Sequence, residues 1–442
     1  YQGFEYVVVP SEYNHKQVTS IGFYAFYLCH NIKAVYLPES ITNISDYAFF
    51  GCDNLMGINL PKNLKAVGYM AFSDSGLYGI TVPDSVTSIG EYAFASTNIH
   101  GAKLPENIEA IPAGLFFDCE LLKTYDIPDT VTEIGYSAFG SCGLRNITIP
   151  DNVTKIDAYA FSDCSCLTSV ILSQNVETIE SNAFYNSSNA MIFCKSTAKP
   201  SGWEENWNYK TKNVFYSGGW TLSGNAVYNA DQTVLLRYLG CEEAFSTPKS
   251  VKEIAEKAFA FCDSLVYFKT ESNVEKINAY AFFACINLER ADIGDSVSEI
   301  GEYVFSNCCY LKEVNLPKNL TAISEGLFDF CEYLETVKIP DSVTSIGDGA
   351  FAGCVHLNDI TLPENLTAIG TNAFNYCNEL TTIVIPLNVS TLKSAFVGCD
   401  SLTIFCDATQ KPTSWLSDWN SGCTVYWGSE WSYVDGIPTV NE

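Results

Sequence analysis

The sequence predicts a solenoid with a parallel β-sheet, built as two arrays that are separated by a cap and a β-hairpin. A unit of 22 or 23 residues, VxxIxxxAFxxCxxLxxIxIPxx, recurs 15 times along the 442 residues. Its copies form two blocks, at about 18–190 and about 251–400, and similar Trp-rich segments follow them at 192–208 and 404–420. A single unit cannot bury its apolar face, whereas stacked units cover one another, so the repeat predicts a solenoid.

Each unit is predicted to contain one strand, a second short extended piece and one helical turn. The LxxIxI run alternates and is rich in β-branched residues, which indicates a strand. The Pro after it ends the strand, because Pro cannot donate a ladder hydrogen bond. The VxxI piece, as at 86–89, is the second extended segment. In AFxxC, Phe and Cys lie three residues apart on one face of a turn of α- or 3₁₀-helix. The predicted class is therefore an α/β solenoid.

A ladder of phenylalanine is expected to run through each array. The key Phe of the unit accounts for 15 of the 27 Phe, so much of the aromatic content is structural. These residues are Phe26, Phe49, Phe72, Phe94, Phe116, Phe139, Phe161 and Phe184 in the first array, and Phe259, Phe282, Phe305, Phe328, Phe351, Phe374 and Phe396 in the second.

Most of the 18 cysteines are expected to be free thiols in the core. Twelve lie three residues after the key Phe, and parallel coils point their Cβ atoms the same way, which disfavours disulfides. Cys406 and Cys423, both in the second cap, are the best disulfide candidates. No CxxC pair occurs, and neither the cysteines nor the four histidines have the spacing of metal ligands. We expect no catalytic residue, no metal and no cofactor.

The repeat resembles the BspA-like class of leucine-rich repeats of surface proteins. Conventional leucine-rich repeats carry Asn or Cys at the turn, whereas this sequence has Pro there and Cys after the Phe. The resemblance implies a curved, right-handed leucine-rich-repeat superhelix that is extracellular or attached to the cell surface. It further implies a non-enzymatic protein that works in adhesion or recognition.

Six segments are expected along the chain. They are an N-terminal strand and cap at 1–17, the first array at 18–191, a Trp-rich cap at 192–219, a β-hairpin linker at 220–250, the second array at 251–403, and a second Trp-rich cap with the start of a further hairpin at 404–442. Trp431 stands in the place of Trp220, so we expect the native chain to continue into another hairpin or array.

The charge balance excludes several classes of partner. The chain has 24 Lys plus Arg against 51 Asp plus Glu, a net charge of −27. Nucleic acids and anionic membrane surfaces both require clustered cations, so neither is an expected partner. No apolar run of about 18 residues occurs, which argues against membrane insertion within this chain.

Function is expected on the outward positions of the LxxIxI strands, which can vary without damage to the core. In the first array these positions carry aromatic and basic side chains, and such residues are frequent energetic anchors of interfaces. The candidate binding residues are Tyr36, Tyr78, Lys103, Lys123 and Arg145. The expected partner is a host or neighbouring-cell protein or a glycan, bound by a monomer. Two alternatives stay open: an ordinary solvated face, and a structural spacer of a longer surface protein.

Overall fold

The computed structural model describes residues 5–211 and 213–441, so the predictions for residues 1–4, 212 and 442 lie outside the described residues. The chain divides into two units, residues 1–220 and 221–442. Each unit is a stack of coils, and most coils contribute one strand to each of two rows. Equivalent residues of successive coils pair in parallel, as Ile21 does with Ile44 and Ile44 with Val67. The parallel solenoid is thereby confirmed.

In the first unit, the LxxIxI positions form a row that we call the sheet face. Its strands are Tyr6–Val8, Ala34–Tyr36, Gly57–Ile58, Gly79–Thr81, Gly101–Lys103, Asn146–Thr148, Ser169–Leu172, Met191–Cys194 and Asn213–Phe215. The row of VxxI strands comprises Ser20–Ile21, Asn43–Ile44, Ala66–Val67, Ser88–Ile89, Ala110–Ile111, Glu133–Ile134, Lys155–Ile156, Thr178–Ile179 and Gly202–Trp203. Glu12–Tyr13 and Lys16–Gln17 form a small antiparallel pair. The strand Trp220–Ser223 crosses the division between the units.

The second unit repeats this arrangement. Its sheet-face strands are Ala244–Ser246, Tyr267–Lys269, Arg290–Asp292, Glu313–Asn315, Thr336–Lys338, Asp359–Thr361, Thr382–Ile385, Thr403–Cys406 and Thr424–Trp427. The other row comprises Val234–Tyr238, Glu253–Ile254, Lys276–Ile277, Glu299–Ile300, Ala322–Ile323, Ser345–Ile346, Ala368–Ile369 and Thr391–Leu392. Ala226–Asn229 pairs antiparallel with Val234–Tyr238, and Trp431–Val434 pairs antiparallel with Ile437–Val440.

The AFxxC segment is not a helical turn, so the α/β label is wrong. The one helical element in the described residues is the 3₁₀ turn Gly428–Glu430. In the AFxxC segments, alternate N–H groups donate to the next coil, as those of Phe49 and Gly51 do to Ala71 and Ser73 at 2.8 and 2.9 Å. The intervening N–H groups make turns within the coil, and residues with positive φ recur every four positions. A helix cannot continue through left-handed residues or share its hydrogen bonds in this way.

The phenylalanine ladder is confirmed in both units. The key Phe rings of neighbouring coils stack with centroids between 4.7 and 6.2 Å apart. Trp207 ends the ladder of the first unit against Phe184 at 5.8 Å. In both caps an indole N–H donates to a backbone carbonyl of the last coil at 3.0 Å, from Trp203 to Val176 and from Trp415 to Val389. The bulky Trp rings therefore cover the apolar end of each stack.

Most thiols of the cysteine ladder are buried, and the buried ones also make hydrogen bonds. Each buried thiol of the ladder donates to the key Phe carbonyl of the preceding coil, as Cys52 does to Phe26 at 2.9 Å. At one position where Ser replaces Cys, Ser187 Oγ donates to the Phe161 carbonyl at 2.7 Å. All 18 cysteines are free in the structure, so the disulfide between Cys406 and Cys423 is not formed. Cys423 Sγ instead contacts the Cys399 carbonyl at 3.6 Å.

The second unit buries the side chain of Arg237 without a hydrogen-bond partner among the described residues. It lies in the strand Val234–Tyr238 and is 1% exposed. None of its three guanidinium nitrogens has a hydrogen-bond partner among the residues that the structure describes. Burial lowers the pKa of Arg237 to about 9. The desolvation of an unpaired cation opposes folding.

Replacing Arg237 with Met should therefore stabilise the second unit, by about 1 to 4 kcal/mol in the free energy of unfolding. Met has an unbranched apolar side chain that reaches as far as the Nε position of Arg and carries no charge. Urea denaturation followed by circular dichroism measures the change. The matched control is Arg290→Met on the surface, where Arg290 pairs with Asp292 and Glu313 and a change within about 0.5 kcal/mol is expected. A less stable Arg237→Met variant would contradict the prediction.

Candidate functional site

The five candidate residues lie in two columns on the sheet face of the first unit, and all of them except the half-buried Arg145 are exposed. The first column follows the strand Leu and holds Met56, Tyr78, His100, Lys123 and Arg145 in successive coils. The second column lies between the last two apolar residues and holds Tyr36, Asn59, Thr81, Lys103, Asp126 and Thr148. Tyr36 and Tyr78 are 55% and 61% exposed, which is unusual for rings of this size.

Main-chain hydrogen bonds hold the first column together. The His100 N–H donates to the Tyr78 carbonyl at 2.9 Å, and the Arg145 N–H donates to that of Lys123 at 3.0 Å. The Tyr78 and His100 rings stack with centroids 4.0 Å apart. His100 Nδ1 also lies 3.0 Å from its neighbouring Asn98 carbonyl oxygen, which helps to fix the imidazole. The column thus presents a fixed aromatic pair followed by two cations.

The structure brings only part of the predicted set together. Tyr78, Lys123 and Arg145 share one column, and Lys103 stands in the second column between the coils of Tyr78 and Lys123. Tyr36 belongs to the first coil, five coil spacings from Arg145, or about 24 Å at the usual separation of strands. A single small ligand cannot contact both Tyr36 and Arg145, so the full set requires an extended partner.

Both columns become buried beyond Arg145. Thr168 and Ile171 occupy the next positions and are 4% and 5% exposed. In later coils Phe193 stacks on Phe215, and the Trp220 ring packs on Phe193 at 5.4 Å. The accessible part of the face therefore ends before the Trp-rich cap.

The sheet face is interrupted in the coil of Tyr125, a feature that the repeat pattern does not reveal. It replaces a small aliphatic residue at an inward strand position and packs between Phe116 and Phe139, at 5.3 and 5.4 Å. Its hydroxyl is buried without a partner among the described residues, and burial raises its pKa. The segment 123–128 forms no strand. The size of the ring does not by itself explain this, because Phe268 holds the equivalent inward position within a strand of the second unit.

Two hollows flank the interrupted coil on the sheet face. One has a volume of about 440 Å³ and is lined by Lys103, Glu106 and Asp126, among others. The second has about 480 Å³ and is lined by Asp126, Asp129 and Thr148, among others. Lys103 Nζ lies 3.6 Å from Glu106 Oε1. The face is therefore mixed in charge at the hollows and basic in the adjoining column.

The sheet face of the second unit holds a larger hollow of about 870 Å³. Thr336, Lys338, Asp359 and Thr361 contribute to its lining. Cations of this face pair with carboxylates of neighbouring coils, as Lys312 does with Glu289 at 3.1 Å. The side chains that line this hollow include no aromatic residue, which distinguishes it from the first unit's face.

Metal-binding and membrane-spanning features are not found in the described part of the chain. Across residues 5–211 and 213–441, no three or more His, Cys, Asp or Glu side chains are grouped so that they could hold a metal ion. A helix with the length and apolar character needed to cross a bilayer does not occur in those ranges.

A family model described as the BspA type leucine rich repeat region, with six copies, matches residues 19–145, 87–201, 238–354 and 321–411. The chain belongs to the BspA-type leucine-rich repeat family. The resemblance in the sequence is thus confirmed, and the matches leave out the segment 202–237 around the division of this BspA-type protein into two units.

Solved bacterial structures resemble the BspA-type chain over most of its length. A leucine-rich repeat protein from Eubacterium ventriosum is 21% identical, with 92% of this chain and 93% of that chain covered and a TM-score of 0.42. A leucine rich cell surface protein from Faecalibacterium prausnitzii is 23% identical, with 95% and 91% covered and a TM-score of 0.33. No curated protein sequence matches this chain significantly.

Proposed function

We propose that this BspA-type protein is a non-enzymatic recognition or adhesion protein, secreted or held at the cell surface. It binds a protein or glycan partner through the sheet face of its first unit. The observation that carries the proposal is the column of exposed Tyr78, His100 and Lys123 and half-buried Arg145 beside two hollows. Stacked coils offer extended surfaces of this kind for binding.

The chemistry of the face favours an extended partner over a small substrate. Tyr36 and Tyr78 supply rigid apolar area, while Lys103, Lys123 and Arg145 supply charge-assisted hydrogen bonds. The columns cross six coils, and the two hollows lie along the same path. A glycan chain or a loop of a partner protein could follow the columns from Tyr36 to Arg145.

The non-enzymatic character is inferred from the regularity of the repeat. Every unit in both arrays is 22 or 23 residues long, so no long loop breaks the period to build a site. Enzymes usually position their catalytic groups on such loops. The proposal that the protein acts outside the cell or on its surface rests on the BspA-type family.

Reversing the charge at Lys123 and Arg145 should weaken partner binding by about 10- to 100-fold. Removing an interface cation and adding an anion both act against an acidic or polar partner. The partner is first selected by applying the biotinylated chain to protein and glycan arrays. The affinity of the Lys123→Glu/Arg145→Glu variant is then measured by surface plasmon resonance.

The matched control is Lys62→Glu/Lys65→Glu, which makes the same change in net charge at exposed positions outside the two columns. Its affinity should stay close to that of the unmodified chain. Equal affinities for all three proteins would refute the role of the face. If no partner binds either unit at any salt concentration, the spacer interpretation is the better one.

A further inference from the structure

The AFxxC segments of the second unit form a surface that we call the turn side, and this surface contains a notch. The function proposed for the sheet face does not depend on this notch. In one coil, the outward positions of the turn segment are occupied by Gly349, Ala352 and Gly353, which are the smallest side chains available. The sequence signal is the run GDGAFAGC at 347–354. In the preceding and following coils, the position of Gly353 is taken by Phe330 and Tyr376. The notch is therefore one coil wide, with an aromatic residue as its wall in the coil on either side.

Both walls are exposed. Phe330 and Tyr376 are 50% and 56% exposed, although large apolar rings are usually covered. A Cβ atom at Gly353 would lie 3.0 Å from Cδ1 of Phe330, so the Phe330 ring lies directly over that glycine. At Gly349 a Cβ atom would meet nothing nearer than Ala352 Cβ at 4.0 Å, so this part of the notch is open. The cleft has a volume of about 480 Å³.

The floor of the cleft is fixed by hydrogen bonds between coils. The N–H groups of Gly349 and Gly353 donate to the carbonyls of Thr371 and Asn375, at 2.8 and 2.7 Å. The N–H of Phe330 donates to the Ala352 carbonyl at 2.7 Å. A ligand would therefore enter a site whose backbone is already ordered, which lowers the entropic cost of binding.

The lining of the cleft is acidic. Glu325, Asp329 and Asp348 contribute carboxylates, and no Lys, Arg or His lines it among the described residues. The Tyr303 hydroxyl donates to Glu325 at 2.7 Å, and the Lys393 Nζ atom lies 3.8 Å from Asp348. Asp329 is partly buried, and burial raises its pKa. A cation that entered the cleft would stabilise the charged form of this desolvated carboxylate.

We propose that this cleft binds an arginine side chain of a partner protein. A guanidinium group is planar and can lie against the Phe330 or Tyr376 ring, while its N–H groups donate to Asp329 and Glu325. This combination of an aromatic face with carboxylates suits arginine better than lysine, whose ammonium is a compact and strongly hydrated charge. Charge complementarity also favours arginine over a neutral sugar, which would bring no cation to Glu325 and Asp329.

The test uses the full chain and the peptide acetyl-Gly-Arg-Gly-amide, observed by saturation-transfer NMR. We expect transfer to the arginine methylene protons and a Kd on the order of 1 mM, which corresponds to one stacked and paired side chain. The matched peptide with citrulline in place of arginine has the same shape but no charge, and it should bind about tenfold more weakly.

Two variants place the binding in the cleft. Gly349→Asn fills the open part, and Asn is tolerated at positive φ, as Asn372 shows at the same position of the next coil. Asp329→Asn removes one carboxylate at constant shape. Both should weaken binding by about fivefold or more, whereas Asp359→Asn on the sheet face should not change it. Circular dichroism checks that each variant is folded.

Three results would overturn the proposal. The first is equal transfer to the arginine and citrulline peptides, and the second is equal binding by the unmodified chain, Gly349→Asn and Asp329→Asn. The third is binding of a neutral oligosaccharide at the cleft with no binding of the arginine peptide, which would assign the cleft to a glycan. None of these results depends on the sheet face of the first unit.

Discussion

Raising the pH from about 7 to about 10 should unfold the second unit under reducing conditions. This unit buries seven thiols: Cys285, Cys308, Cys331, Cys354, Cys377, Cys399 and Cys406. Burial raises the pKa of Cys406 to about 12 and that of Cys399 to about 11. It also raises the pKa of Cys285, Cys331 and Cys377 well above the ordinary value. An unfolded thiol has a pKa of about 8.5.

The sign of the pH effect follows from proton binding. Above pH of about 8.5 the unfolded chain loses thiol protons that the folded unit keeps, so the free energy of unfolding falls as the pH rises. Each of the six buried thiols other than Cys308 should lower the free energy of unfolding by about 2 kcal/mol by a pH of about 10. Six such losses exceed about 10 kcal/mol in total, roughly the whole stability of a typical domain.

The measurement is the urea midpoint of unfolding at several pH values between about 7 and about 9.5, with oxygen excluded. The matched variant is Cys308→Ser/Cys331→Ser/Cys354→Ser, because Ser does not ionise in this range and Ser187 shows that the position accepts a hydroxyl. Its stability should fall less steeply with pH. A midpoint that stays constant up to a pH of about 9.5 in the unmodified chain would contradict the prediction.

The regular part of the fold was predictable because one pattern repeats 15 times. Fixed spacing between Phe, Cys, Leu and Ile places equivalent residues above one another in every coil. The stacked ring of Phe49 on Phe26 and the thiol contact of Cys52 with the Phe26 carbonyl both follow from it. A sequence period determines register directly, since one residue of slippage would reverse the buried and exposed faces.

The local features were less predictable because they depend on hydrogen bonds and volume. The spacing of Phe and Cys fits a helical turn, but the observed turns give alternate N–H groups to the next coil, which sequence spacing does not distinguish. The coil of Tyr125 satisfies the apolar pattern, yet it forms no strand on the sheet face, and two hollows flank it. The cleft at Gly349 arises from small residues in one coil and large ones in its neighbours.

Truncating Phe328 to Ala should destabilise the second unit by about 3 to 5 kcal/mol, whereas Phe330→Ala should change its stability by less than about 1 kcal/mol. The two residues are two positions apart in one coil. Phe328 is 0% exposed and stacks on Phe305 at 5.8 Å and on Phe351 at 5.3 Å, while Phe330 is 50% exposed. The same chemical change thus removes a core ring in one variant and a surface ring in the other.

The size of the effect follows from the stacked architecture. Each coil contacts only its neighbours, so the loss of the Phe328 ring leaves a cavity that weakens two interfaces at once. Urea denaturation of both variants, monitored by circular dichroism, measures the difference. Similar stabilities for Phe328→Ala and Phe330→Ala would contradict the ladder as the main support of the unit. A stable Phe330→Ala variant would also show that the aromatic wall of the acidic cleft is not required for folding, because its ring lies on the surface above Gly353.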